Sequence, residues 1–253
     1  MSLSSSLRAG ETVLSAWSGL PEPLTVEILA HSAFGAVALD MQHGGHDEAS
    51  VLRSVGLILA AAKPPVVRIP VGRFDTASRA LDFGAEAVIA PMINSAEDAR
   101  RFAAAMKYPP VGERSWGVLR PNADYGTPGS GGFLTAANRE TLAFAMIETR
   151  EAYDALDAIL DVRGIDGVFV GPSDFSIAWS NGLEVDPQSK SIVEPITTIA
   201  RKAEAAGKIA GIYASSPEFA RRYIPLGFRF VTLGSEGTYL RLAAETLVKA
   251  ALG

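Results

Sequence analysis

Short apolar runs alternate along this chain with longer stretches of helical period. The runs are TVLSAW (12–17), AVALDM (36–41), PVVRIP (65–70), AVIAPM (87–92), LAFAMIE (142–148), GVFVGP (167–172), KIAGIY (208–213) and FVTLG (230–234). Near-continuous runs of this kind suit strands buried on both faces, and such strands are parallel to their neighbours. The alternation predicts an α/β fold, and a count of about eight predicts a single (β/α)₈ TIM barrel. The rival is an open, doubly wound sheet. Against it, no GxGxxG follows the first run and no GxxxxGK[ST] occurs anywhere.

The intervening stretches carry helix punctuation. Pro23 opens one, Asp75 and Ser95 stand where N-caps belong, and Gly84, Gly207 and Gly227 stand where helices stop. One connection breaks the rhythm: from about 107 to 140 the chain is rich in Gly and Pro without a clean period, which predicts a long loop with short ordered pieces. The glycines of TPGSGG (127–132) follow no predicted strand and read as flexible loop rather than a phosphate cradle.

Composition narrows the class. The chain has 253 residues, 48% hydrophobic and 20% charged, which suits one barrel domain over 1–253. Net charge is −5 and the basic residues are scattered, so no nucleic-acid or anionic-lipid footprint is present and a small-molecule partner is expected. The absence of cysteine excludes disulfides, thiolate metal sites and cysteine nucleophiles. The opening MSLSSSLRAG has no apolar core of signal-peptide length, and no later stretch approaches the roughly 20 apolar residues of a membrane span. A cytoplasmic protein is the expectation.

In a barrel of this kind the active site lies at the C-terminal ends of the strands, so polar residues there stand apart from polar residues elsewhere. Glu148 ends the fifth run and Asp174 follows the sixth. Two bare carboxylates about 4 Å apart repel by roughly 4 kcal/mol at an effective dielectric near 20. They therefore share a proton, pair with a cation such as Arg150 or Arg163, or bind a hard divalent metal, for which Mg²⁺ or Mn²⁺ is the natural choice and Co²⁺ a further option. Asp40 and His43, three residues apart where the second run turns polar, suit a carboxylate-oriented general base or a histidine satisfied by its own loop. Arg68 is anomalous in a core strand and needs an anion: Asp40, Asp82 or a developing enolate oxygen. The backbone N–H groups of Ser173 and Asp174, after Gly171 and Pro172, open a helix that can hold a carboxylate. Trp17 and Tyr213, ending the first and seventh runs, are either core or wall of the pocket. His31 and His46 read as solvated or structural.

Six strings carry a resemblance: LDMQHGG (39–45), PVVRIP (65–70), APMINSAEDAR (90–100), KYPPVGERSWG (107–117), MIETREA (146–152) and GIDGVFVGPSDFS (164–176). In that order and spacing, over nearly the whole chain, they resemble the HpcH/HpaI aldolase family. The resemblance implies a pyruvate-type (β/α)₈ barrel that assembles as a homo-trimer or homo-hexamer, often exchanging its last helix, and cleaves 4-hydroxy-2-keto acids to pyruvate, or a close analogue such as hydroxypyruvate, and an aldehyde. It further implies that Glu148 and Asp174 ligate the metal, that Arg68 stabilises the enolate, and that His43 with Asp40 forms the acid/base dyad. By the same resemblance the Ser173 and Asp174 backbone binds the substrate carboxylate, Asp82 reaches a neighbouring subunit's site, and the 119–132 loop lines the aldehyde side.

Two positions depart from the family pattern. Gln42 stands where many members have glutamate, and Met146 where glutamine is usual, which leaves substrate preference open. No lysine ends a predicted strand where a Schiff base would need it, and Lys208 begins its strand at the wrong end. The remaining alternatives are oxaloacetate decarboxylation, acyl-CoA ester cleavage and a non-catalytic keto-acid-binding barrel.

Overall fold

The computed structural model of the chain describes residues 2–120 and 126–253. Its strands are β1 (Val13–Ser18), β2 (Ala36–Asp40), β3 (Pro65–Arg68), β4 (Ala87–Ala90), β5 (Leu142–Ile147), β6 (Gly167–Val170), β7 (Ile209–Ala214) and β8 (Phe228–Leu233). All pair in parallel in chain order, and β1 closes on β8. Every predicted strand is present, and the closed barrel removes the open-sheet rival.

The helices are α1 (Leu3–Arg8), α2 (Pro23–Ala30), α3 (Glu48–Ala60), α4 (Phe74–Asp82), α5 (Ala96–Met106), α6 (Gly131–Glu140), α7 (Arg150–Asp154), α8 (Leu156–Leu160), α9 (Pro172–Trp179), α10 (Val193–Ala205), α11 (Pro217–Tyr223) and α12 (Glu236–Leu252). Pro23 opens α2, Ser95 caps α5 through its side chain, and Gly84 follows α4 at φ +105°, a backbone conformation that favours glycine. Asp75 is not an N-cap. A turn from Pro70 to Arg73 starts α4 earlier, so Arg73 takes the cap position and Asp75 falls in the first turn, its carboxylate gripped by the Arg73 guanidinium. The segment expected as a long loop from 107 to 140 is helical in its last third: Ser130 caps α6 through its hydroxyl, and Phe133 and Ala137 bury one face of it. Part of the 119–132 loop, residues 121–125, lies outside the described residues.

The period of two sorts each strand's side chains into two packed sets. One row, including Val37, Leu39, Val67, Val88, Ala145 and Val168, faces the helices in the larger apolar cluster. The other, including Ala38, Val66, Ile89, Phe144, Phe169 and Phe230, fills the barrel interior. Leu3 and Leu7 of α1 join this second cluster from the N-terminal face. The inward row decides where the site residues go. Asp40 continues Ala36 and Ala38, Arg68 continues Val66, and Glu148 continues Leu142, Phe144 and Met146, so all three emerge at the C-terminal mouth above an apolar plug.

Candidate active site

The mouth of the barrel is a cavity of about 350 Å³, walled in part by Trp17, His43, Arg68, Ser173, Asp174 and Tyr213. Asp40, Gly171 and Pro172 also border it. One side is an ion pair. Asp40 and Arg68 are register partners across β2 and β3. Their side chains meet in a two-point bridge, with Arg68 Nε and Nη2 donating to the Asp40 oxygens at 2.8 and 2.6 Å. The backbone N–H groups of Gln42 and His43 donate to Asp40 Oδ1 at 3.0 and 3.3 Å, and the Trp17 indole N–H reaches Oδ2 at 3.4 Å. Burial works to raise the Asp40 pKa, but the Arg68 hydrogen bond and charge, with the two backbone donors, outweigh it and hold the carboxyl below its ordinary value. Arg68 is 9% exposed and its guanidinium lies 4.7 Å from the centre of the Trp17 ring. The anion that Arg68 required is therefore Asp40.

This geometry corrects one expectation in detail. Asp40 meets His43 through the backbone N–H, while its carboxylate is committed to Arg68. The exposed His43 side chain borders the cavity. A three-residue spacing said that the two are neighbours but not which atoms of the histidine would be met.

The other side of the mouth carries two carboxylates. Glu148, just past β5, is 2% exposed, and its Oε1 accepts the Met92 backbone N–H at 2.8 Å. Burial pushes its carboxyl up to about 7. The Met92 hydrogen bond and the Arg68 charge act in the opposite direction, while the Asp174 charge adds to the rise. Neither arginine considered as a neutralising partner fills that role. Arg150 donates to the carbonyls of Ala178 and Trp179, and Arg163 is an exposed residue shortly before β6, at the opposite end of that strand. Across from Glu148 stands Gly171, where a Cβ would lie 2.6 Å from Glu148 Oε2, so a bare backbone is what admits the carboxylate. Gly171 also precedes α9, whose N-terminus has no side-chain cap. The N–H groups of Ser173 and Asp174 lie in that first turn, at residues that border the cavity, and no side chain caps them among the described residues.

Oxygen donors without sulfur or imidazole suit a hard divalent cation. Among the described residues no cluster of three or more His, Cys, Asp or Glu could hold one, so two carboxylates leave the remaining positions to solvent and substrate oxygens. That donor set fits a Mg²⁺ or Mn²⁺ ion.

Trp17 and Tyr213 are both core and wall. Trp17 stacks on Phe169 at 6.2 Å and meets Tyr213 edge-on at 5.5 Å, and both border the cavity. Asp82 ends α4 at the opposite end of the barrel, where its carboxylate binds Arg114 at 2.8 Å. It takes no part in its own chain's mouth. His31 is exposed at the end of α2. His46 is buried between Ser18 Oγ and Ser50 Oγ, at 3.0 and 3.1 Å. Gln42, one of the two departures, gives its backbone N–H to Asp40, and its buried side-chain oxygen has no partner among the described residues.

Lys107 and Glu236 are among the buried charges that sequence reasoning missed. Lys107 follows α5 at the N-terminal face, and its ammonium donates to Asp166 at 2.7 Å and to the carbonyls of Asn138 and Thr141. Burial lowers its pKa, yet it lies at the wrong end of the barrel for a Schiff base. Glu236 opens α12 beside the mouth and accepts the N–H groups of Gly19 and Leu20. An acid just after a strand end, in LGSEG, was the available signal.

The HpcH/HpaI aldolase/citrate lyase family profile matches residues 14–243. A hydroxypyruvate/pyruvate aldolase of Rhizorhabdus wittichii is 38% identical over 239 residues, 94% of each chain. A 4-hydroxy-2-oxo-heptane-1,7-dioate aldolase of Salmonella dublin is 35% identical over 243 residues, 95% of this chain and 90% of that one. Among solved structures, an HpcH/HpaI aldolase/citrate lyase family protein of Burkholderia cenocepacia superposes with a TM-score of 0.87 at 26% identity, covering 99% of each chain.

Proposed function

The chain belongs to the HpcH/HpaI aldolase/citrate lyase family, and from that premise we propose that this class II aldolase reversibly cleaves a 4-hydroxy-2-keto acid to an aldehyde and pyruvate or hydroxypyruvate, with Glu148 and Asp174 holding Mg²⁺ or Mn²⁺. The observation that carries the metal assignment is Glu148: a 2%-exposed carboxylate beside a second carboxylate, with one backbone donor and no paired cation among the described residues.

When bound, the cation supplies Lewis-acid polarisation of the keto oxygen. The rest falls to side chains and backbone. The Ser173 and Asp174 N–H groups hold the substrate carboxylate at the start of α9. Arg68 spends Nε and Nη2 on Asp40 and retains donors on Nη1 for the oxygen that gains charge as the enolate forms. His43 takes the proton of the C4 hydroxyl. The C3–C4 electrons then pass to the enolate, the aldehyde departs, and a proton added at C3 completes the keto acid. Asp40 serves this step indirectly, fixing Arg68 with its carboxylate and the His43 backbone with Oδ1. Oxaloacetate forms the same enolate on losing CO₂ and is an expected side substrate.

Among the described residues no helix is long and apolar enough to cross a membrane. We place the enzyme in the cytoplasm as a homo-trimer or homo-hexamer. Leu240, Leu242, Leu247, Val248 and Leu252 are exposed along α12, a face suited to a second copy. Asp82 then acts only across a subunit boundary, and light scattering that returns a monomer removes that role.

The test is pyruvate release from a 4-hydroxy-2-keto acid after chelation, with Mg²⁺ or Mn²⁺ added back, in wild type and Glu148→Ala. Activity lost on chelation, restored by metal and reduced about 10³-fold in the variant is the expected result. Activity indifferent to chelation contradicts the assignment of the two carboxylates.

A further inference from the structure

His43 rides on the β2–α3 loop, which is held from the β1 side of the mouth. The β2–α3 loop is seated on the β1–α2 loop by the Gly45 N–H, which donates to the Gly19 carbonyl at 2.7 Å. A Cβ on Gly44 would lie 2.9 Å from the Gly19 Cα and 2.4 Å from the Asp40 carbonyl oxygen, so the two backbones are in direct contact there. The His46 imidazole pins the far end of the loop between Ser18 and Ser50.

The β1–α2 loop is in turn gripped from α12. Glu236 is 3% exposed and spans the backbone N–H groups of Gly19 and Leu20, at 2.9 and 3.3 Å, with its two oxygens. Charge-assisted bonds to two successive N–H groups fix a backbone more firmly than a neutral acceptor does. Glu236 is the buried residue of α12, whose remaining length is exposed or half-exposed. A buried charge at the root of an otherwise peripheral helix, aimed at the loop beneath the His43 loop, calls for a role.

We propose that Glu236 is a positioning residue for C–C bond cleavage: it clamps Gly19 and Leu20, and through the Gly19–Gly44 contact sets where His43 stands over the substrate hydroxyl. The inference rests on the aldolase reading above. It separates two reactions of the same site. Cleavage of a 4-hydroxy-2-keto acid needs the hydroxyl proton removed, which depends on His43. Oxaloacetate loses CO₂ directly, its C–C electron pair becoming the enolate with no hydroxyl to deprotonate. Loosening the clamp therefore slows cleavage and spares decarboxylation.

The experiment measures kcat for both reactions, with saturating Mn²⁺, in wild type, Glu236→Ala and Glu236→Gln, with a thermal melt of each. Cleavage is expected to fall about tenfold in Glu236→Ala while decarboxylation stays within about twofold, as displacing a catalytic group by a fraction of an ångström implies. Glu236→Gln keeps one acceptor oxygen and falls in between, and its ratio decides the matter if the alanine chain does not fold. Parallel loss of both activities, or an unchanged ratio in the folded variants, overturns the proposal. A wild-type chain that performs neither reaction sinks the aldolase reading and this inference together, whereas parallel loss in active protein sinks the inference alone.

Discussion

The two halves of the barrel mouth bury carboxylates of the same chemistry and treat them in opposite ways. On the β2–β3 side Asp40 is met by a guanidinium in two-point contact, two backbone N–H groups and an indole, and its carboxyl stays ionised below the ordinary range. On the β5–β6 side Glu148 has one backbone donor, with a second carboxylate nearby, and its carboxyl is pushed up to about 7. The first half is electrostatically complete within the chain. The second has no paired cation among the described residues, and it is this asymmetry that motivates the proposed cation site there.

The contrast is broken most strongly at Asp40. Asp40→Asn leaves the Arg68 charge buried without its anion and should destabilise the fold by about 3 to 5 kcal/mol, read as a lower midpoint in denaturant. A loss below about 1 kcal/mol would mean that Arg68 finds another anion, or that the pair is exposed to solvent as surface pairs are.

Glu148 should show the opposite sign. Its carboxyl titrates near 7 in the metal-free fold against 4.5 ordinarily, so between those values the folded chain holds a proton that the unfolded chain has released. Stability then falls as pH rises through that window, by about 3 kcal/mol in all. Thermal melts of chelated protein from pH 4.5 to 8 should show the decline. Glu148→Gln, neutral throughout, should remove this contribution, and saturating Mn²⁺ should reverse the decline. A metal-free wild type with the same pH profile as Glu148→Gln would refute the raised pKa.

A smaller effect is expected at Gly171. A Cβ there must displace the Glu148 carboxylate, so Gly171→Ala should weaken divalent-metal binding by about tenfold, near 1.4 kcal/mol, without touching the Asp40–Arg68 pair. Unchanged affinity would show that the carboxylate has room to turn aside.

Much of this contrast is legible in the sequence, because the period of two fixes which strand residues face inward and the strand-end rule fixes which of those reach the mouth. That logic found Asp40, Arg68 and Glu148, and the mismatch between Arg68 and its apolar strand required an anion. It left the choice between Asp40, Asp82 and substrate open, since register across β2 and β3 is a tertiary property. The backbone route from Asp40 to His43 is local, but a spacing of three does not say which atoms of the histidine meet the carboxylate. Helix α6 was missed because Gly131 and Gly132 disguise its first turn, although Ser130 was a legible cap. Glu236 had a local signal, an acid just after a strand end, but its partners, the Gly19 and Leu20 amides, and those of His46, the hydroxyls of Ser18 in β1 and Ser50 in α3, are set by tertiary packing rather than by spacing.

The central claim is that the β5–β6 carboxylates, and not the β2–β3 pair, form the divalent-cation site. Mn²⁺ titration of chelator-stripped protein, followed by electron paramagnetic resonance, tests it directly in wild type, Glu148→Gln, Asp174→Asn and Asp40→Asn. The account predicts one Mn²⁺ per chain, bound by wild type and by folded Asp40→Asn but with affinity reduced at least about a hundredfold, near 3 kcal/mol, in each of the other two. Wild-type affinity in both Glu148→Gln and Asp174→Asn would contradict it.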